Sequence, residues 1–295
     1  MSKNRNLKYQ FRNAIEQHFR EGIDKHSLKQ SGKKGTEVFS YSQRKNLLDV
    51  SSSFSNWMKE SHPEIKEVKN VTSDHIQEFL STKTTECSQK TLEQYQAQFN
   101  KLQCLVNDTY KANVDYHTEK ILSVKNGGGK LRTDMLSTEN YNKMLNTSNS
   151  NLRNALILSQ NFGLRCEEIS RLRGSDFSET GLKIVGSKGG RDRLIPIETA
   201  KQKQIAKEFM QKVGRICPIQ KGSLQQAFNR EKKRQGLSSV SDFHSCRKAY
   251  ATERFQAYRK QGLSVQQSLD KVSKNLGHGE NRNDLLKEYI CCPIQ

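Results

Sequence analysis

Two stretches of this chain place an arginine on what is otherwise an apolar helix face. In Gly163-Leu164-Arg165-Cys166-Glu167-Glu168-Ile169, a helix opening at Arg165 puts Arg165, Glu168, Ile169 and Leu172 at i, i+3, i+4 and i+7, on one face. Guanidinium groups are seldom buried without a partner, so Glu168, one turn away, is placed to orient Arg165 while leaving part of its donor fork for an anion. A structural Arg–Glu pair fits the same spacing, and both readings stay open. The second stretch is Asp242-Phe243-His244-Ser245-Cys246-Arg247. Here Ser241 or Asp242 is expected to cap a helix carrying His244, Arg247, Ala251 and Phe255 in line. A histidine exchanges a proton near neutral pH, whereas an arginine offers only donors and positive charge. Together they suit a phosphate; a satisfied core histidine is the alternative.

Further groups join these. Lys188 sits among Gly186, Gly189, Gly190, Arg191 and Arg193, where glycines let the backbone approach a ligand; a solvated basic turn is the bland reading. Leu276-Gly277-His278 precedes Tyr289 by eleven residues, counted from His278, and that tyrosine stands six residues from the last residue. Asn126-Gly127-Gly128-Gly129-Lys130 has a glycine run beside a lysine, but Leu131 follows where a phosphate loop needs Ser or Thr, so a hinge is expected. The seven cysteines are odd in number and include no C-x-x-C, which fits reduced thiols better than disulfides or a zinc site.

The elements that must position these residues are mostly helical. Only four prolines and 18 glycines interrupt the chain, and 3.6-residue periodicity dominates it. Leu7, Phe11, Ala14, Ile15, His18 and Phe19 share one face of a first helix, followed by a basic run from Lys25 to Gly35. Helices are expected over Tyr41 to Glu60, from Ser73, and from a cap at Ser88 through Val106. Beyond the glycines, helices are expected from Ser137, from Leu152 to Phe162 and near Arg165. Leu182–Val185 and Arg193–Ile197 read as the strands of a hairpin with Lys188 at its tip, and the chain returns to helix from Ala200.

Composition bounds the partner. Fifty Lys and Arg against 31 Asp and Glu leave +19, an excess suited to a polyanion, while 33% hydrophobic residues suffice for a core. No apolar stretch approaches the ~20 residues of a membrane span, and the basic N-terminus lacks a following apolar segment, so a cytoplasmic protein is expected.

The order Gly-Leu-Arg-x-x-Glu-Ile, Lys-Gly-Gly-x-x-Arg-x-Ile-Pro, His-x-x-Arg, Leu-Gly-His and Tyr resembles the catalytic domain of the tyrosine recombinases, the phage integrase family. The resemblance covers roughly Thr133 to the C-terminus. The segment from about Phe39 to Lys125, with Ser88-Gln89-Lys90-Thr91-Leu92-Glu93-Gln94-Tyr95, also looks like their core-binding domain. It implies a mainly α, two-domain DNA clamp: a basic extension or arm over residues 1–38, a helical core-binding domain over 39–125, a linker over 126–132 and, over 133–295, a catalytic domain of α+β type with a small antiparallel sheet.

By the same resemblance Arg165, Lys188, His244, Arg247 and His278 surround a scissile phosphate, Glu168 supports Arg165, and Tyr289 is the nucleophile. No cofactor or metal is implied. The implied partners are double-stranded DNA, three further copies of the chain in a tetramer, and accessory DNA-bending or directionality proteins; the setting is a bacterial nucleoid or mobile element. The implied reaction cuts and rejoins DNA through a 3′-phosphotyrosine and a Holliday junction, to integrate or excise an element. Replicon dimer resolution, or DNA binding without catalysis, are the alternatives. Three positions depart from the family pattern: Lys248 replaces a frequent histidine, Cys246 a usual leucine, and the His278–Tyr289 interval is about two residues long. Tyr250 and Tyr258 are the rival nucleophiles.

Overall fold

The computed structural model describes residues 6–21, 37–125, 135–187, 192–237, 242–279, 286 and 288–294. The chain divides into two compact units, Met1–Lys130 and Leu131–Gln295. The basic run 25–34 and the expected linker 126–132 lie outside the described residues.

In the first unit, α1 (Leu7–Gln17), α2 (Tyr41–Ser61), α3 (Ser73–Thr82) and α4 (Gln89–Tyr110) start at short polar residues. Asn6 accepts the Tyr9 N–H at 3.0 Å and Ser40 accepts the Gln43 N–H at 3.1 Å, which satisfies donors that a helix start leaves without partners. Their apolar faces meet around Phe54, whose ring lies 6.1, 5.4 and 5.2 Å from Phe11, Phe79 and Phe99, edge-on in each case. The first helix was expected to be part of an extension, yet α1 belongs to this core. Leu7, Phe11, Ala14 and Ile15 are at most 5% exposed, because an amphipathic stripe this apolar must be covered by its own unit. Arg44 of α2 donates from Nε to Glu16 of α1 at 2.8 Å, and the chain returns alongside through Val38 N–H to the His18 carbonyl at 2.9 Å.

The second unit holds α5 (Thr138–Leu145), α6 (Ser150–Phe162), α7 (Cys166–Arg171), β1 (Gly181–Ile184), β2 (Arg193–Pro196), α8 (Ala200–Met210), α9 (Lys221–Arg234), α10 (His244–Lys260) and α11 (Val265–Leu276). Caps at Ser137, Asn149, Thr199 and Ser264 open four of these helices. The strands pair antiparallel with Gly181 opposite Pro196 and Ile184 opposite Arg193, so the small sheet expected from the sequence is present. Leu152, Ala155, Leu156, Leu158 and Phe162 bury one side of α6, and α10 packs against both α6 and α11. Mainly helical with one two-stranded sheet, the described residues contain no helix long and apolar enough to cross a membrane. They contain no group of three or more His, Cys, Asp or Glu side chains that could hold a metal ion. All seven cysteines are free thiols.

Candidate active site

Arg247, on the first turn of α10, is wholly buried. Two helix ends hold it. Its Nη1 donates to the carbonyl of Gly163, which closes α6, and its Nη2 donates to the carbonyl of Leu276 at the end of α11. Carbonyls at helix C-termini carry the negative end of the helix dipole, so they compensate a buried cation without a carboxylate. Burial lowers the Arg247 pKa to about 9, with the Arg165 charge adding to the effect, which leaves the group charged at neutral pH.

The Leu-Gly-His element is a helix-ending turn. Gly277 takes φ +71°, its N–H donates to the Lys274 carbonyl, and the His278 N–H donates to the Ser273 carbonyl at 3.0 Å. This turn carries the His278 ring to Arg247, with Nε2 3.2 Å from Nη2.

Tyr289 completes the cluster. Its ring centroid lies 5.0 Å from that of His244, 4.9 Å from that of His278 and 5.6 Å from the guanidinium carbon of Arg247. The segment is anchored on both sides of the tyrosine. Leu286 and Ile290 are buried with Phe255, Leu269 and Val272, and the Cys291 N–H donates to Thr252 Oγ1 of α10 at 2.9 Å. His244 is held neutral: burial, then the Arg247 charge, pulls its pKa from 6.5 to about 4.

The arginine near the start of α7 is placed differently from the expected helical face. Arg165 is the N-cap, with extended backbone (φ −81°, ψ 152°), and the helix proper begins at Cys166. Its contact with Glu168 is that of a cap: the Glu168 carboxylate accepts the Arg165 N–H at 2.9 Å and its Nη1 at 2.9 Å. The main partner of Glu168 is another arginine. Arg193 of β2 binds it through both oxygens, at 2.8 and 2.9 Å, and also donates from Nε to the Asn275 carbonyl at 2.8 Å. Burial opposes ionisation of Glu168, but the Arg193 hydrogen bonds and charge, with the charge of Arg247, outweigh it and hold the carboxyl well below the usual carboxylate range. The Ser187 hydroxyl donates to Glu168 at 2.6 Å and accepts from Arg165 and Arg193.

The structure thus gathers Arg247, His278, His244 and Tyr289 around one point, and sets Arg165, Glu168 and Arg193 in a second, linked network within electrostatic reach of Arg247. Lys188 lies outside the described residues; Ser187, which precedes it, is pinned in that network. Of the expected caps of α10, Asp242 accepts the His244 N–H at 2.9 Å, while Ser241 is outside the described residues. The rival tyrosines face elsewhere. Tyr258 donates to Glu198 at 2.7 Å, and Asn275 donates to the hydroxyls of both Tyr250 and Tyr258. Burial, together for Tyr258 with the Glu198 carboxylate, raises both phenol pKa values.

Sequence reasoning missed the work of Arg193, although strand alternation pointed to it: Arg193 shares a face with the wholly buried Ile195. No local signal marked Ser187 or the carbonyls of Gly163, Asn275 and Leu276. Chemically, three guanidinium groups meet one carboxylate and two imidazoles beside a phenol. That arrangement suits a tetrahedral oxyanion attacked by oxygen.

The phage integrase family matches residues 134–282, about half of the chain, ending short of Tyr289. No curated protein matches the chain in sequence. Among solved structures, XerH site-specific recombinase bound to palindromic difH substrate superposes with a TM-score of 0.63 at 17% identity, over 97% of this chain and 91% of that one. A lambda integrase(75-356) dimer bound to a COC′ core site gives 0.62 at 17%, over 90% and 92%. A lambda integrase tetramer bound to a Holliday junction gives 0.61 at 18%, over 95% and 80%.

Proposed function

The chain belongs to the phage integrase family and is a tyrosine site-specific recombinase; on that premise we propose that Tyr289 is its nucleophile and a scissile phosphate of duplex DNA its target. The observation that carries this is the packing of the Tyr289 ring against His244, His278 and the guanidinium of Arg247. The phenol oxygen attacks phosphorus as the bond to the 5′-oxygen breaks. Neutral His244 takes the phenol proton, a role that a charged imidazolium cannot fill. Arg165 and Arg247 hold the non-bridging oxygens as charge grows on them, His278 donates to the same phosphate, and Lys188 gives its proton to the departing 5′-oxygen. The product is a 3′-phosphotyrosine, which stores the bond energy for rejoining by the same groups in reverse.

The net charge of +19 spreads the grip on DNA over many phosphates. We assign the chain to a homotetramer acting on two sites through a Holliday junction, supported by the likeness to a lambda integrase tetramer on such a junction. Membership of the integrase family supports integration or excision of a mobile element as its role.

Covalent capture tests the chemistry. The full chain is incubated with a randomised duplex library nicked so that the short fragment bearing the freed 5′-hydroxyl diffuses away, denatured, and the DNA left on protein is sequenced. The wild type and the Tyr250→Phe and Tyr258→Phe variants are expected to retain DNA, and Tyr289→Phe none. Adducts persisting in Tyr289→Phe would refute the nucleophile. Binding without adducts in the wild type would leave a DNA-binding protein.

A further inference from the structure

We propose that Arg193 is a positioning residue that neutralises Glu168 and so leaves the charge of Arg165 to the scissile phosphate; this rests on the reading above. A carboxylate can match one guanidinium fork oxygen for nitrogen. Glu168, whose side chain is 2% exposed, gives that bidentate match to Arg193 and a single Nη1 contact to Arg165. Every nitrogen of the Arg193 fork has a protein acceptor: Nε the Asn275 carbonyl, Nη1 Glu168 and Ser187, Nη2 Glu168. With each of those nitrogens engaged, Arg193 is spent inside the protein, whereas the wholly buried Arg247 keeps an Nε with no hydrogen-bond partner among the described residues. Arg165 is the opposite case. Among the described residues only its Nη1 donates to protein side chains, and its side chain is 19% exposed.

Arg193 also ties this pair to the turn that presents His278. It holds the Asn275 carbonyl while Arg247 holds the next one, Leu276, and it lies so close to Gly277 that a Cβ there would sit 3.0 Å from its Cδ and 3.1 Å from its Nη1. Without Arg193 the buried carboxylate has one hydrogen-bonded cation left, Arg165. It then draws Arg165 into a closed pair, and its charge opposes the phosphate across a low-dielectric gap.

The test uses the full chain and the duplex recovered by covalent capture, synthesised with either a normal scissile phosphate or a neutral methylphosphonate in its place. Adduct formation is followed in a single turnover, each variant relative to wild type on the same substrate. Arg193→Gln is expected to slow the phosphate reaction by about 30-fold or more, below the ~10²–10³-fold loss of a donor that touches the substrate, and the methylphosphonate reaction by less than about 3-fold, because the orphaned carboxylate no longer faces an anion. Adding Glu168→Gln removes that carboxylate and is expected to recover most of the loss, a coupling that independent roles would not show. Equal slowing on both substrates, or a double variant slower than Arg193→Gln, would overturn the proposal and leave Arg193 as hairpin scaffolding. Where Arg193→Gln does not fold, Arg193→Lys decides. It keeps the charge and loses the fork, so it is expected to stay within about 5-fold of wild type on both substrates, and a larger, equal loss on both refutes the charge argument. A wild type that captures no DNA would instead remove the proposed function itself.

Discussion

Gly163 and Gly277 end two helices with nearly the same left-handed backbone, φ +65° and +71°, yet alanine is expected to act very differently at the two. Forcing a residue with a Cβ into that conformation costs about 1–2 kcal/mol at either site. At Gly163 the Cβ would lie 2.5 and 2.8 Å from Tyr250 Cδ1 and Cε1 and 3.0 Å from Leu276 Cδ2. The ring cannot yield, since Tyr250 is 2% exposed and its hydroxyl is held by Asn275. Overpacking of this kind adds about 1–3 kcal/mol, so Gly163→Ala should destabilise by about 2–5 kcal/mol in all. At Gly277 the nearest atoms belong to the arm of Arg193, at 3.0 to 3.3 Å, so the overlap to relieve is only a few tenths of an ångström. The stability cost there should stay near the backbone share alone, about 1–2 kcal/mol, while cleavage suffers because Arg193 is displaced. Urea unfolding followed by circular dichroism measures the first quantity, and single-turnover adduct formation the second. A loss below about 1 kcal/mol for Gly163→Ala, or a larger loss for Gly277→Ala than for Gly163→Ala, would refute the packing argument.

Two further outcomes follow from burial. His244 has a pKa of about 4 when folded against 6.5 when unfolded, so between those values the unfolded chain binds a proton that the folded chain does not. Stability should therefore fall as pH drops from about 6.5 to about 4, by up to about 3 kcal/mol from this group, and be unaffected by it above that window; His244→Gln should flatten this part of the urea-midpoint profile, and parallel profiles would refute it. Phe11→Ala removes a wholly buried ring from the centre of the first unit and should cost about 3–5 kcal/mol by the same unfolding assay, whereas a solvated arm would lose almost nothing.

Much of the chain was legible in its sequence because the signals were local. Serines before apolar stripes marked the starts at Ser88 and Ser137, which are the N-caps of α4 and α5, and β-like runs on either side of glycines placed the two strands. The α1 stripe of Leu7, Phe11, Ala14 and Ile15 was equally visible, but a stripe does not say which partner covers it, and only packing assigned the helix to the first core. The Arg165–Glu168 pairing was foreseen for the wrong reason: spacing suggested a shared helical face, and the contact arises from a cap outside the helix.

The candidate residues could be picked out from the order of the Arg, Lys, His-x-x-Arg, Leu-Gly-His and Tyr motifs and from the helix periods and turns that carry them. Those are properties of short intervals, set by backbone geometry within a few residues. The tertiary structure alone decided who meets whom. Arg247 reaches a carbonyl 84 residues away and Arg193 one 82 residues away. Tyr250 and Tyr258 are turned toward Asn275 and Glu198, whereas Tyr289 is brought to the histidines by Leu286 and Ile290 packing on α10 and α11. Such pairings depend on how buried surfaces fit, and a buried guanidinium or carboxylate takes whichever acceptor or donor that fit leaves within reach.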